Sequence, residues 1–177
     1  MKKYFKLFIA LLIIGIVSCN SEKSVKETEI NKIKDLETQI YNESTNSLNK
    51  KVVTNLLDAY SNYVKTFAED SLAPEYLFKA GEIAMNSGMG NQSVFYFDKL
   101  RRNYPNYKKI PHCIFLQAFV YDSQLKNYDK AKEYYSLFLK KYPNHELAKD
   151  AKASIKNLGK SLDEIIKDFE KKDKDKK

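Results

Sequence analysis

The stretch FYFDKLRRNYPN, residues 95–106, recurs 38 positions later as EYYSLFLKKYPN, residues 133–144. Each copy places large apolar or aromatic side chains at intervals of three and four residues ahead of the shared Tyr-Pro-Asn, which puts them on one face of a helix. A weaker copy, with Tyr60, Tyr63 and Phe67, lies 37 residues before the first. The period predicts three successive repeats, because self-similarity at an interval of about 20–50 residues is typical of repeat architectures.

Each repeat is predicted to contain two helices. In the third repeat, Pro111 can occupy the first turn of helix A, where its missing N–H costs nothing. Helix A then extends to about Leu125, and helix B from about Tyr128 to Tyr142, after which Pro143 prevents continuation. The predicted inner face of helix B consists of Tyr128, Ala131, Tyr135, Phe138 and Tyr142.

Further helices are predicted on both sides of these copies. An apolar stripe indicates a first helix for the first repeat, followed by a loop over residues 42–49; the stripe is Ile30, Ile33, Leu36, Ile40 and Tyr41. After the third repeat, Asn144 is positioned to cap a helix that Gly159 ends. The apolar face of this capping helix is Leu147, Ala148, Ala151, Ile155 and Leu158. Ser161 and Glu164 then form a capping box for a last short helix.

The third repeat resembles the tetratricopeptide repeat family. Small Ala131 stands where the two helices of a repeat pack closest, with Tyr128 three residues before it, Tyr135 four after it and Pro143 twelve after it. The resemblance covers about residues 50–158. It implies an all-α, tetratricopeptide-type helical-hairpin solenoid of about three units plus C-terminal capping helices. It also implies a scaffold that binds proteins or peptides.

The N-terminal segment has the pattern of an export signal that ends at a cysteine. Three lysines within the first six residues precede an apolar run, Leu7–Val17. As a helix this run spans roughly 16 Å, which is too short for the ~30 Å hydrocarbon core of a bilayer. An ordinary cleaved signal is the alternative, but it needs a small residue where Ile16 stands. Residues 16–19, Ile-Val-Ser-Cys, resemble a bacterial lipobox, which implies that Cys19 becomes the acylated N-terminus.

The sequence predicts a single folded domain with an anchor and a tail. We expect a lipoprotein signal peptide over residues 1–18, a flexible tether over 19–28, a helical domain over 29–170 and a charged tail over 171–177. Asn20 follows the cysteine where the common inner-membrane retention signal has Asp. The expected location is therefore the bacterial cell envelope, lipid-anchored on the periplasmic face of the outer membrane, with a Gram-positive surface lipoprotein as the alternative.

The charge balance does not favour nucleic acid as a partner. The chain has 31 Lys and Arg against 23 Asp and Glu, a formal net charge of +8. Its lysines are dispersed, however, and no basic patch coincides with a recognisable nucleic-acid motif. A solvated, mildly basic surface near anionic lipid is the expected meaning of this charge.

Sequence motifs for catalysis are missing. The chain has no Ser/His/Asp or Cys/His set, no glycine-rich phosphate loop and no clustered metal ligands along the sequence. We therefore expect no enzyme activity, catalytic residue, metal, cofactor or small-molecule substrate. Cys113 is expected to be a small buried hydrophobe. His112 points about 100° away from it on a helix, and the only other histidine, His145, lies in a different segment.

The resemblance also supplies a candidate protein-binding strip. In tetratricopeptide stacks the first helix of each repeat lines the concave face. Carried over to this chain, that face is Leu77, Gly81, Ala84, Met85, His112, Phe115, Phe119, Asp122 and Ser123. The alternative is that Phe115 and Phe119 pack against neighbouring helices.

Three functions are compatible with the sequence. The lipobox, the tether and the Tyr-Pro-Asn repeats followed by HELAKDA resemble the barrel-assembly lipoprotein family of the outer membrane, which implies an envelope-assembly adaptor. The partners would then be other envelope proteins or peptides, with the membrane reached through Cys19. A cell-wall or Tol–Pal coordinator is the second possibility, since that family places a helical oligomerising segment before such repeats. A ligand-binding lipoprotein that feeds a transporter is the third.

Overall fold

The computed structural model describes residues 23–40 and 49–174, and all regular secondary structure in these ranges is α-helix. The all-α prediction is confirmed. Helix α1 covers residues 23–40. The following helices are α2 Lys50–Thr66, α3 Ala73–Asn86, α4 Gly90–Asn103, α5 Ile110–Ser123, α6 Tyr128–Lys141, α7 Ala148–Asn157 and α8 Leu162–Lys174. Predictions for the signal peptide, Cys19, Tyr41, the loop at 42–48 and the end of the tail at 175–177 lie outside the described residues.

The described residues form two compact units, where the sequence predicts one domain. The N-terminal unit ends at Tyr76 and the C-terminal unit begins at Leu77. This boundary falls inside α3 and not in a linker. The boundary could not be predicted from composition, because domain boundaries usually lie in linkers rich in Pro, Gly and polar residues and this one lies within a helix.

The N-terminal unit buries the predicted stripe of α1. Ile33 is fully buried, and Leu36 and Ile40 are nearly so. Tyr60 of α2 is also buried, and its hydroxyl donates to Glu37 Oε1 of α1 at 2.6 Å. The amphipathic period of α1 thus gave the correct inner face.

The predicted tether is wrong for residues 23–28, which are already helical. Lys26 Nζ donates to Asp70 Oδ2, in the turn that follows α2. Tyr63 donates to the other carboxylate oxygen at 2.8 Å, and the Leu72 N–H donates to it at 2.9 Å. A polar segment without periodicity predicts a flexible chain. Here, however, the carboxylate of Asp70, which is distant along the chain, holds the charged side chain of Lys26 in place.

The C-terminal unit confirms the repeat. Phe97 and Leu100 of α4 are fully buried, and so are Tyr135 and Phe138, which lie 38 positions later in α6. The tight turns correspond as well, since Gly88 has φ 72° and Lys126, again 38 positions later, has φ 51°. Lys126 therefore adopts a left-handed conformation that glycine takes more readily than lysine.

The C-terminal helices agree with the sequence in part. Gly159, with φ 72°, follows α7 as predicted. The capping box is confirmed, because the Ser161 N–H donates to Glu164 Oε2 at 2.8 Å and the Glu164 N–H donates to Ser161 Oγ at 3.3 Å. The Asn144 cap is wrong: His145 Nδ1 instead accepts the Leu147 N–H at 3.2 Å, ahead of α7. Residues 171–174, predicted as tail, extend α8.

Ala131→Leu is expected to lower the free energy of unfolding by about 1–3 kcal/mol, because Ala131 is fully buried and a larger side chain overpacks its surroundings. Lys132 is exposed, and Lys132→Leu should change stability by less than about 0.5 kcal/mol. Urea denaturation of the two variants measures the difference. Equal losses would mean that α6 packs in another register.

Candidate interaction surface

Three residues of the predicted binding strip belong to the core and present no surface to a partner. Leu77 is 1% exposed and Ala84 is fully buried. Gly81 lies against α4: a Cβ at this position would stand 2.6 Å from Cδ1 of Phe97, well inside van der Waals contact. Its carbonyl accepts the Ser93 hydroxyl at 2.8 Å. The prediction is wrong for these three, because Leu77 and Ala84 are buried and Gly81 lies directly against Phe97 of α4.

Phe115 also belongs to the packing of its own hairpin. Its ring meets the rings of Tyr135 and Phe138 edge-on, with centroids 5.5 and 5.7 Å away. The alternative of packing against a neighbouring helix is therefore correct for Phe115. It does not hold for Phe119, whose exposed fraction is 42%.

The remaining positions form a smaller surface, which we call the exposed strip: Met85, Phe119, Asp122 and Ser123. Gln124 Nε2 donates to the Met85 carbonyl at 2.7 Å, which joins the end of α3 to the end of α5. Ser123 Oγ donates to the Phe119 carbonyl one turn earlier at 2.7 Å. The strip therefore combines an exposed aromatic ring with a half-buried thioether, a hydroxyl and a carboxylate.

Asp122 gives the exposed strip its electrostatic character. Its carboxylate is half-buried and forms no hydrogen bond or ion pair within the described residues. Burial raises its pKa, although attraction to Lys126 acts in the opposite direction. A partly desolvated carboxylate without a close partner is a favourable place for an incoming cationic group.

His112 is the one strip residue that the structure places elsewhere. It lies in the first turn of α5, and its ring contacts the ring of His145 edge-on, with centroids 5.0 Å apart. Its Nε2 atom is 3.6 Å from Glu146 Oε1. The sequence separates the two histidines, but the fold brings His112, His145 and Glu146 together.

A buried polar network lies outside every sequence prediction. Gln117 is fully buried in α5, and its side-chain carbonyl accepts a hydrogen bond from Arg101 Nη1 at 2.9 Å. The Arg101 guanidinium also stands over the Tyr134 ring, 5.1 Å from its centroid. The sequence signal for this network was the single glutamine in the apolar stretch PHCIFLQAFVY, because a buried side-chain amide needs hydrogen-bond partners. The side chain of Arg101 therefore stabilises the fold through Gln117 and Tyr134.

Cys113 has the environment that the sequence predicts. It is fully buried, its Sγ–H donates to the Phe97 carbonyl at 3.3 Å, and burial raises the pKa of the thiol. A thiol that stays protonated is a poor nucleophile and a poor metal ligand.

The N-terminal unit carries a second, polar surface. A groove lies between α1 and α2, and its lining is Thr28, Asn31, Lys32, Asp35, Leu36, Gln39, Asn55, Asp58 and Asn62. Most of these side chains are amides, hydroxyls or charged groups. Such a lining suits weak, hydrated contacts better than burial of an apolar ligand.

Among the described residues, no helix has the length and apolar character needed to cross a membrane.

Comparison with known proteins agrees with the helical hairpins. No curated protein matches the chain. The family model for the tetratricopeptide repeat matches residues 75–107 and 112–145, which are the α3–α4 and α5–α6 hairpins. The likeness to the tetratricopeptide repeat therefore covers the second and third hairpins.

Proposed function

We propose that this protein is a lipid-anchored adaptor of the bacterial envelope that binds other envelope proteins or peptides during outer-membrane protein assembly. Tetratricopeptide repeats generally serve as protein-binding scaffolds and not as enzymes. The observation that carries the proposal is the exposed strip, where Phe119 is exposed and the carboxylate of Asp122 has no hydrogen bond or ion pair among the described residues. Membrane attachment through Cys19 and the periplasmic face of the outer membrane complete the proposal.

The chemistry of the exposed strip describes the segment that it would recognise. Phe119 offers an aromatic face for an apolar anchor, and aromatic residues dominate the energetics of protein interfaces. Asp122, one turn away, favours a Lys or Arg in the same segment, since the charges are complementary. We expect the partner to present an apolar residue and a basic residue on one side of a helix or extended stretch.

Asp122→Asn is expected to raise the melting temperature at pH 7. Because the folded-state pKa of Asp122 is raised, the folded protein favours the protonated form, and this contribution to stability is lost as pH rises through that pKa. The Asn side chain of the variant does not ionise, so the variant does not lose this stability as pH rises. Thermal unfolding should show a more stable variant at pH 7 and convergence with the unmodified protein below the ordinary Asp pKa of 3.8.

The same variant tests the binding face. If Asp122 holds a basic partner group, Asp122→Asn weakens co-purification of the partner while the protein becomes more stable, so unfolding cannot explain the loss. Phe119→Ser should likewise weaken binding with near-native melting, and Lys132→Ser is the matched surface control. Loss of stability in Phe119→Ser, or unchanged capture in both strip variants, would contradict the proposed surface.

Crosslinked envelopes provide the partner assay. Capture of barrel-assembly proteins supports the proposed role, whereas Tol–Pal proteins or transporter subunits would support one of the other two functions. The helical segment expected of a Tol–Pal coordinator corresponds to α1, but its Ile33 and Ile40 are buried within the N-terminal unit and do not offer an oligomerising face. The α/β lobes of ligand-binding lipoproteins do not occur among the described residues, which contain no strand.

Cys19→Ser is expected to abolish membrane attachment. Without the thiol no acyl chains can be added, and the protein should become soluble or remain as an uncleaved precursor. Fractionation and intact mass measure this outcome. Cys113→Ser is the matched control, since that thiol is buried and should leave the lipid unchanged. A native protein without acyl groups, or Cys19→Ser still in the membrane fraction, would overturn the anchor.

A further inference from the structure

We propose that His112, His145 and Glu146 form a binding site for a divalent transition-metal ion such as Zn²⁺. The three residues come from two places in the C-terminal unit. His112 lies in the first turn of α5, and His145 and Glu146 lie in the turn between α6 and α7. Two imidazoles and one carboxylate are ligands that zinc commonly takes at sites with an open fourth position.

The distances are short enough for one ion. One potential ligand atom from each residue lies within 4.8 Å of the other two. Ligand atoms in a tetrahedral zinc site stand roughly 3.3 Å apart, since Zn–N and Zn–O bonds are about 2.0–2.2 Å. The side chains therefore need to close by at most about 1.5 Å. Glu146 and His112 can make this movement, because their side chains are 77% and 42% exposed.

One side of the cluster is already held in position. The His145 ring packs edge-on against Phe138, with centroids 5.4 Å apart, and Phe138 is fully buried. The ring also stands against His112. Ligands supported by such packing need less ordering when an ion binds, which favours affinity.

Binding also has an identifiable cost. His145 Nδ1 accepts the Leu147 N–H, and metal coordination through either ring nitrogen takes that lone pair or places a proton on it. His112 Nδ1 is buried and has no hydrogen-bond partner in the described part of the chain, so the outer-shell support common at metal sites is missing there. We therefore expect weaker binding than at a closed structural zinc site.

An ion at this position would link the start of α5 to the turn before α7. The linkage stabilises the folded C-terminal unit in proportion to the occupancy of the site. The fourth position would remain open to water or to a side chain of a bound partner. The Leu147 amide, which loses its hydrogen bond, provides a local reporter of occupancy.

The test uses the full chain, purified without a histidine tag, with Zn²⁺ measured by calorimetry and Co²⁺ by absorption. We expect one ion per chain, visible bands of a nitrogen–oxygen site without thiolate charge-transfer absorption, and a higher melting temperature with Zn²⁺. His112→Ala, His145→Asn and Glu146→Gln should each weaken binding more than about tenfold. In His145→Asn, the amide oxygen can replace the lost acceptor for Leu147.

Two controls make the result decisive. Glu133→Gln removes an exposed carboxylate of α6 outside the cluster and should leave affinity unchanged. Glu146→Gln keeps the test valid if a histidine variant is unstable, because Glu146 is largely exposed. Affinity unchanged in Glu146→Gln, thiolate absorption with Co²⁺, or no binding by the unmodified chain would overturn the proposal. None of these outcomes depends on the adaptor function.

Discussion

Gly81→Ala is expected to destabilise the C-terminal unit by about 1–3 kcal/mol, although alanine normally favours a helix interior by about 1 kcal/mol over glycine. The reason is the contact with α4. The added methyl group would lie 2.6 Å from Cδ1 of Phe97, and that ring is fully buried. The ring also packs against Phe78, with centroids 5.9 Å apart, so it cannot move away without disturbing another aromatic contact.

A second substitution identifies the cause. Phe97→Leu in the Gly81→Ala background removes the ring that clashes, and the double variant should lose less stability than the sum of the two single variants. Asn86→Ala, at an exposed position of the same helix, is the control and should change stability by less than about 0.5 kcal/mol. Urea denaturation measures all four variants. A more stable Gly81→Ala would show that α3 and α4 do not approach closely.

Asp70→Ala is expected to destabilise the N-terminal unit by about 1.5–3 kcal/mol, the range for hydrogen bonds to a charged group. The carboxylate accepts from Lys26, Tyr63 and the Leu72 N–H, and its side chain is 15% exposed. Its loss leaves the buried Tyr63 hydroxyl without this acceptor and releases Lys26 in the first turns of α1. Hydrogen exchange should locate the increased opening in residues 23–28 and 63–72.

The contribution of Asp70 should also depend on pH. Burial acts to raise its pKa, but the hydrogen bonds from Lys26, Leu72 and Tyr63 outweigh burial and lower it. Because the folded pKa is depressed, the stabilisation is present above the unfolded value near 3.8 and is lost as pH falls through the folded pKa. Asp70→Asn should therefore be less stable than the unmodified protein at pH 7 and approach it in acid.

The exposed Asp58 of α2 supplies the matched control, because Asp58→Asn removes a carboxylate of the same unit without touching the Asp70 contacts. A constant stability gap between Asp70→Asn and the unmodified protein across the acid range would contradict the ion pair with Lys26.

Two aspartates thus have opposite roles. Asp70 is surrounded by donors, so its charge is expected to stabilise the fold, whereas Asp122 is partly desolvated and has no hydrogen bond or ion pair among the described residues, so its charge is expected to reduce stability. A position that reduces stability is more easily explained by function than by folding, since binding sites commonly carry such strain. The contrast distinguishes a structural carboxylate from a candidate binding carboxylate in the same chain.

The sequence by itself determined the repeated helices and most of their inner faces, although Tyr128, predicted to face inward, is 40% exposed. Recurrence at 38 positions located Phe97 and Tyr135 in the core, Gly159 located the end of α7, and the capping box of Ser161 and Glu164 located the start of α8. These predictions succeed because they are local. Helical periodicity records which face is apolar, and capping satisfies backbone groups within a few residues of the helix end.

Tertiary structure alone decided what covers each face. Periodicity did not reveal that Gly81 meets Phe97, that Lys26 reaches Asp70, or that α5 and the turn before α7 bring His112 beside His145. Each of these contacts joins residues that are distant along the chain, and each depends on how closely two separate segments approach. That distance follows from the side chains of both partners together, so neither segment of sequence contains it alone.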